Sequence, residues 1–125
     1  MQDRFKFRIW LKDTNKMYNV HSLHIGTNKA IISSRHGNVS IYINKNTILM
    51  QSTGLKDKNS ELIYEGDRVY IDCEDETAII KWSNDLARFT IHFEDEAVFA
   101  DFDNYYSKEL EVIGNIYENL ELPKE

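Results

Sequence analysis

Apolar residues in this chain recur mostly at every second position, in short runs broken by Gly, Asn, Asp and Ser. That period belongs to strands with one buried face, not to helices. FKFRIWL sets Phe5, Phe7, Ile9 and Leu11 on one side of an extended segment and Lys6, Arg8 and Trp10 on the other, ahead of the turn-like KDTNK. MYNVHSLHI and KAIIS alternate more weakly. SRHGN then separates KAIIS from VSIYI, where Val39, Ile41 and Ile43 share a face, and the pair reads as a hairpin with a longer loop. TILMQ, residues 47–51, adds a short apolar run. RVYIDC, TAIIKW, ARFTIHF and AVFADF follow, parted by EDE, SNDL and EDE, and LEVIGNIYE closes the series. Turn signals about every 8 to 12 residues suit a small barrel or sandwich. No helical pattern lies between the strands, which argues against a parallel βαβ plan. DNYYSKEL, residues 103–110, is the one short helix predicted, with Asp103 as its N-cap.

The expected fold is therefore mainly β, with an antiparallel β subdomain over 1–51, a joint over 52–67, a second β subdomain over 68–118 and a frayed tail over 119–125. A chain of 125 residues with 42% hydrophobic content has the material for one core, or for two small cores sharing an interface. LMQSTGLKDKNSELIYEGDRVYI, residues 49–71, is its most punctuated stretch. Gly54 supplies a positive φ, Asp57 and Asn59 favour turns through side-chain bonds to nearby backbone, and Gly66 and Asp67 make a tight step into the next strand. An anion-binding loop built on Gly54, Lys56 and Lys58 is the competing reading. The GxxxxGK[ST] spacing is absent and no helix follows to supply N-terminal amides, so the joint is preferred.

Charge is divided unevenly along the chain. Residues 1–60 hold ten Lys/Arg against three Asp/Glu, and residues 61–125 hold five against eighteen, which together return the net charge of −6. A basic half suits a polyanion or acidic partner and an acidic half a basic one, and the two also suit each other. MQDRFKFRIW carries charges at positions 3, 4, 6 and 8, unlike a secretory signal, and no apolar run reaches the roughly 20 residues that span a bilayer. A single cysteine excludes an internal disulfide and a CxxC zinc arrangement. Cytoplasm is the expected location.

Catalytic and metal-binding patterns are poorly represented. Cys73 sits in YIDCEDE, where the surrounding carboxylates disfavour a thiolate, and reads as an inert strand cysteine. His21 and His24 would face opposite sides of a strand, His36 falls in a hairpin loop, and His92 is expected on an exposed face with Arg88 and Thr90. The runs Glu74, Asp75, Glu76 and Glu94, Asp95, Glu96 lack the regular ligand spacing and central Gly of a calcium loop, and read as solvated charge. With no GxSxG, HExxH or GxGxxG pattern, no catalytic residue, metal or cofactor is predicted.

Binding is the better class. Arg4, Lys6, Arg8, Trp10 and Lys12 would form a basic stripe with an aromatic ring, as in single-stranded nucleic-acid grooves. The competing reading is an ordinary strand face with Trp10 packed on a neighbour. The nucleic-acid reading requires Lys6, Arg8 and Trp10 to lie exposed on one surface. The two acidic runs would serve as a partner-binding face, imitating a nucleic-acid backbone to occupy a basic groove.

FKFRIWLKDTNKMY, TGLKDKNSELIYEGDRV, TAIIKW with ARF after it, and EVIGNIYEN together resemble the YopX-like family of small bacteriophage and prophage proteins. The resemblance runs from Phe5 to Asn119, although residues 20–48 carry no family motif. It departs at Ser60, where the family pattern has Gly after Asn. It implies a phage or prophage origin and an SH3-like β-barrel in the second half, and it supplies no activity. The expectation is a non-enzymatic interaction module of the bacterial cytoplasm that self-associates and binds a host protein or nucleic acid, with no membrane contact and no small-molecule substrate.

Overall fold

A computed structural model describes residues 5–94, 99–102 and 107–118. They form two antiparallel sheets. The first has the order β4-β3-β2-β1-β5-β6, from β1 (Phe7–Leu11), β2 (Lys16–His24), β3 (Lys29–Ser34), β4 (Gly37–Tyr42), β5 (Thr47–Lys56) and β6 (Leu62–Tyr64). The second has the order β10-β9-β8-β7-β11, from β7 (Asp67–Ile71), β8 (Glu76–Ser83), β9 (Arg88–Phe93), β10 (Phe99–Asp101) and β11 (Leu110–Asn115). Neighbours in sequence are mostly neighbours in space, so short hairpins suffice. Positive φ angles at Asn15, Asn28 and Asp75 fall on residue types that tolerate the left-handed region. No helix among the described residues is long and apolar enough to cross a membrane.

The mainly β class stands, but no closed barrel forms among the described residues of the second half. No ladder joins β10 to β11 among the described residues, so the five-stranded sheet is open. Its apolar side buries Ile63, Val69, Ile71, Ala78, Ile80, Ile91 and Leu110, with Phe89, Phe93, Phe102 and Val112 packed around them. The barrel implied by the family resemblance needs closure, which strand spacing does not report. The helix expected over 103–110 falls partly outside the described residues. Within them β11 begins at Leu110, against Ile71 of β7.

β1 lies between β2 and β5 in the first sheet. Cross-strand partners share a face, so Ile9 joins Tyr18 and Leu49 on one side, and Arg8 and Trp10 join Met17, Ile48 and Met50 on the other. Ile9 and Trp10 are both buried. Val20, Ile32 and Val39 continue the Ile9 face across β2, β3 and β4. Leu11 and Ile41, separated by two strands in this order, line one cavity of about 340 Å³, so the sheet curls toward that face.

The boundary expected at 51/52 falls inside β5. That strand pairs β1 through residues 47–51 and continues past Gly54 to Lys56, where it pairs β6 across a bulge. Gly54 sits at φ 85°, which allows the bulge. β6 belongs by hydrogen bonding to the first sheet, yet its central residue Ile63 is fully buried in the core of the second. The joint is thus made of strands shared between the two halves.

Candidate functional site: a filled junction and an open edge

Two of the five residues expected to form a basic surface, Arg8 and Trp10, instead hold the sheets together. Arg8 projects from β1 and donates from Nη2 to Asp67 Oδ1 at 2.7 Å and to the Glu65 carbonyl at 3.3 Å. Its guanidinium lies 4.6 Å from the centre of the Tyr64 ring. Asp67 opens β7, is almost wholly buried, and accepts from the Tyr64 N–H at 2.8 Å with its other oxygen. Burial raises the Asp67 carboxyl above its ordinary value, partly offset by the Arg8 charge and the Tyr64 hydrogen bond. Trp10 stacks on Tyr117 at 5.7 Å and 24°. Arg8 and Trp10 therefore face the second half of the chain. The exposure a nucleic-acid stripe needs fails at both, because β1 is an interior strand covered on two sides. Lys6 and Lys12 are exposed, and Arg4 lies outside the described residues.

Gly66 is a point of close approach. Its N–H donates to the Ile80 carbonyl and its own carbonyl accepts from the Ile116 N–H. A Cβ there would come within 3.1 Å of Met50 Sδ at φ +88°. Glu65 clamps β5 from the same turn: its N–H donates to the Gln51 carbonyl, and its Oε1 accepts from the Gln51 N–H. Asp57 does the corresponding work at the far end. Oδ1 accepts from the Asn59 and Glu61 N–H groups and Oδ2 from the Val112 N–H, each at 2.8 Å, which ties the turn to β11. Asn59 takes part through its backbone N–H. Lys58 adds a bond from its N–H to the Leu110 carbonyl, so residues 57 and 58 cover the outer edge of β11.

The acidic residues gather at one end of the second sheet. The turn after β7 carries Glu74 and Asp75, Glu76 opens β8, and the Glu94 N–H donates to the Thr77 carbonyl, bringing Glu94 beside the first run. Several carboxylates are engaged locally. Tyr70 donates its hydroxyl to Asp75 at 2.6 Å, Lys58 pairs with Asp72, and Arg68 pairs with Glu94 at 2.9 Å. Burial pushes the Glu94 carboxyl up, but the Arg68 and Thr77 hydrogen bonds outweigh it and hold it below its ordinary value. Asp95 and Glu96 lie outside the described residues. No group of three or more His, Cys, Asp or Glu side chains able to hold a metal occurs among the described residues.

Cys73 is an exposed turn residue, not a strand residue, because β7 ends at Ile71. A hydrogen bond to Glu109 is the main cause that raises its thiol above the ordinary value. His92 is half-buried, not exposed: Thr90, on the same face, is fully buried, and His92 Nε2 lies 3.1 Å from Thr90 Oγ1. Burial, with the charge of Lys81, lowers its affinity for a proton.

One feature escaped sequence reasoning. β4 is an edge strand, exposed at Gly37, Asn38, Val39, Ser40 and Tyr42. The other edges are short, in β6 and β10, or covered, in β11. Val39 is 42% and Tyr42 60% exposed, and Ile25 stands 82% exposed in the turn before β3. The signal was present in the composition. Residues 14–56 contain Lys16, Lys29, Arg35, Lys45 and Lys56 and no Asp or Glu.

The sequence profile described as YopX protein matches residues 6–124. The chain belongs to the YopX family. Protein EF1440 from Enterococcus faecalis is similar to this YopX-family chain at 31% identity, covering 93% of it and 95% of the other, with a TM-score of 0.60. Protein yopX from Bacillus subtilis is similar at 19% identity over 97% of this chain and 99% of the other, with a TM-score of 0.57, a likeness of fold alone. A search of curated proteins found no match.

Proposed function

We propose that this YopX-family chain is a non-enzymatic interaction module that holds a macromolecular partner on the open edge of its first sheet. One observation carries the reading: the junction residues are consumed in joining the halves, while β4 leaves a six-residue edge with exposed apolar side chains. An uncovered edge offers unpaired N–H and C=O groups to another strand, and proteins otherwise blunt or cover such edges. The better match of the sequence patterns to binding than to catalysis supports this role. The resemblance to phage and prophage proteins supports a place in the cytoplasm of an infected or lysogenic bacterium.

Affinity capture from bacterial lysate tests this, with wild-type protein set against Ser40→Pro, which places a ring on the edge. Retention of the same proteins by both, with both folded, would sink the reading. A second reading, self-association, is favoured by the opposite charges of the two sheets. Light scattering across a dilution series separates it, since a constant monomeric mass removes it.

A further inference from the structure

We infer that the β4 edge takes an extended acidic peptide, added antiparallel or parallel as a further strand, with its apolar residues on the Val39 side and its carboxylates on the Tyr42 side. The inference rests on the interaction-module reading and names the partner chemistry. Three observations converge on it.

The first is the edge itself. Alternate residues of β4 turn their backbone groups away from β3, to the side where no described strand pairs, and only another extended backbone matches that spacing. A nucleic acid meets the charge but not the ladder.

The second is the difference between the two faces of the strand. Val39 and Ile41 lie on the apolar face, and Ile41 borders the cavity of about 340 Å³ at the end of the strand, which Leu11, Asp13, Thr14, Thr47 and the edge of Tyr42 also line. A peptide strand beside β4 can place an apolar side chain there. On the opposite face Tyr42 pairs with Lys29, whose Nζ lies 5.2 Å from the Tyr42 ring centre, and His24 stands next across the ladder. An alternating peptide would therefore put its acidic residues beside Lys29.

The third is the sign of the field. Arg35 sits in the turn at one end of β4 and Lys45 beyond the other, within a 43-residue stretch that holds no acidic side chain, and Asp13, just before that stretch, is the one carboxylate among the described residues that line the cavity at Ile41. The chain as a whole is acidic, but at physiological salt charges beyond about 8 Å are largely screened, so the local surface decides. The same arrangement argues against two β4 strands pairing with each other. A two-fold antiparallel pair would bring the Arg35 end of one copy beside the Lys45 end of the next.

The test uses the full chain and a fluorescein-labelled peptide of roughly eight residues alternating Glu with Val, long enough to run along β4. Fluorescence anisotropy is read against two controls, a Lys-for-Glu peptide and a peptide with Pro at alternate positions. The expected result is binding of the Glu peptide alone, weakening as salt rises and falling at least about tenfold in Arg35→Glu/Lys45→Glu. That double variant changes exposed side chains only, so it remains informative if Ser40→Pro fails to fold. Equal binding of Glu and Lys peptides would overturn the inference, as would no binding with protein at about 1 mM. Displacement of the Glu peptide by single-stranded DNA at equal charge, or a dimeric mass that becomes monomeric in Ser40→Pro, would assign the edge to another occupant. If lysate capture depends on β4 while no acidic peptide binds, the partner chemistry is wrong and the interaction-module reading stands.

Discussion

Replacing Arg8 by Met should be among the most damaging single changes in the molecule, and its cost should depend on pH in an unusual direction. The Arg8 side chain is 12% exposed and that of Asp67 1%. Removing one member of a buried pair strands the other, at a cost of about 3–5 kcal/mol, or roughly 10–20 °C in Tm for a chain of this size. Loss of the Tyr64 ring contact adds to this by about 0.5–1 kcal/mol. Burial already raises the Asp67 carboxyl, and Arg8 is the largest influence opposing it. Without Arg8 the folded-state value rises further. A carboxyl raised on folding binds its proton more tightly in the native state, so its stabilising contribution is fully present below the unfolded value and is lost as pH rises through the folded one. The Arg8→Met penalty should thus be larger at pH 7 than near pH 4. Urea titrations of wild type, Arg8→Met, Asp67→Asn and the double variant at both pH values give the cycle. The double variant should lose less than the two single variants summed, because no buried charge is left alone. A penalty under about 1 kcal/mol, or strict additivity, would refute the view that this pair joins the sheets.

Gly66→Ala should cost about 1–3 kcal/mol, since φ +88° is strained for any side chain and the new methyl crowds Met50. Thermal melts read it, and an unchanged Tm would contradict the close approach. Ser60 lies at φ 67°, so Ser60→Gly should raise stability by about 0.5–1 kcal/mol, measured by urea unfolding. Destabilisation would show that the serine side chain does more than occupy the turn. Asp57→Ala leaves the Asn59, Glu61 and Val112 N–H groups without their acceptor and should cost about 2–4 kcal/mol. Hydrogen exchange at Val112 should accelerate, and unaltered protection there would disconnect the turn from β11.

Much of the strand inventory is legible in the sequence because a period of two reports burial directly. RVYI, TAIIKW and RFTIHF become β7, β8 and β9, and Gly37, Gly66 and Asp57 mark places where the backbone turns. What periodicity lacks is the second covering layer. FKFRIWL alternates like a half-exposed strand, but β1 is interior, and Trp10 stacks on Tyr117, more than a hundred positions away. Trp10 among charged neighbours was a hint that both faces carry apolar area. Arg8 gave none, because a guanidinium is equally at home on a phosphate and on a buried carboxylate.

The chain alone determines that this is a mainly β protein with a basic first half, an acidic second half and a punctuated segment between them, because alternation, turn chemistry and charge are local properties. Tertiary structure decided the rest. It made Arg8 and Asp67 partners across 59 positions, left β4 as an edge of its sheet, and left β10 and β11 unjoined among the described residues. Those outcomes depend on which surfaces meet and which strand is last in its sheet, and a linear pattern of residues does not record pairing between distant segments.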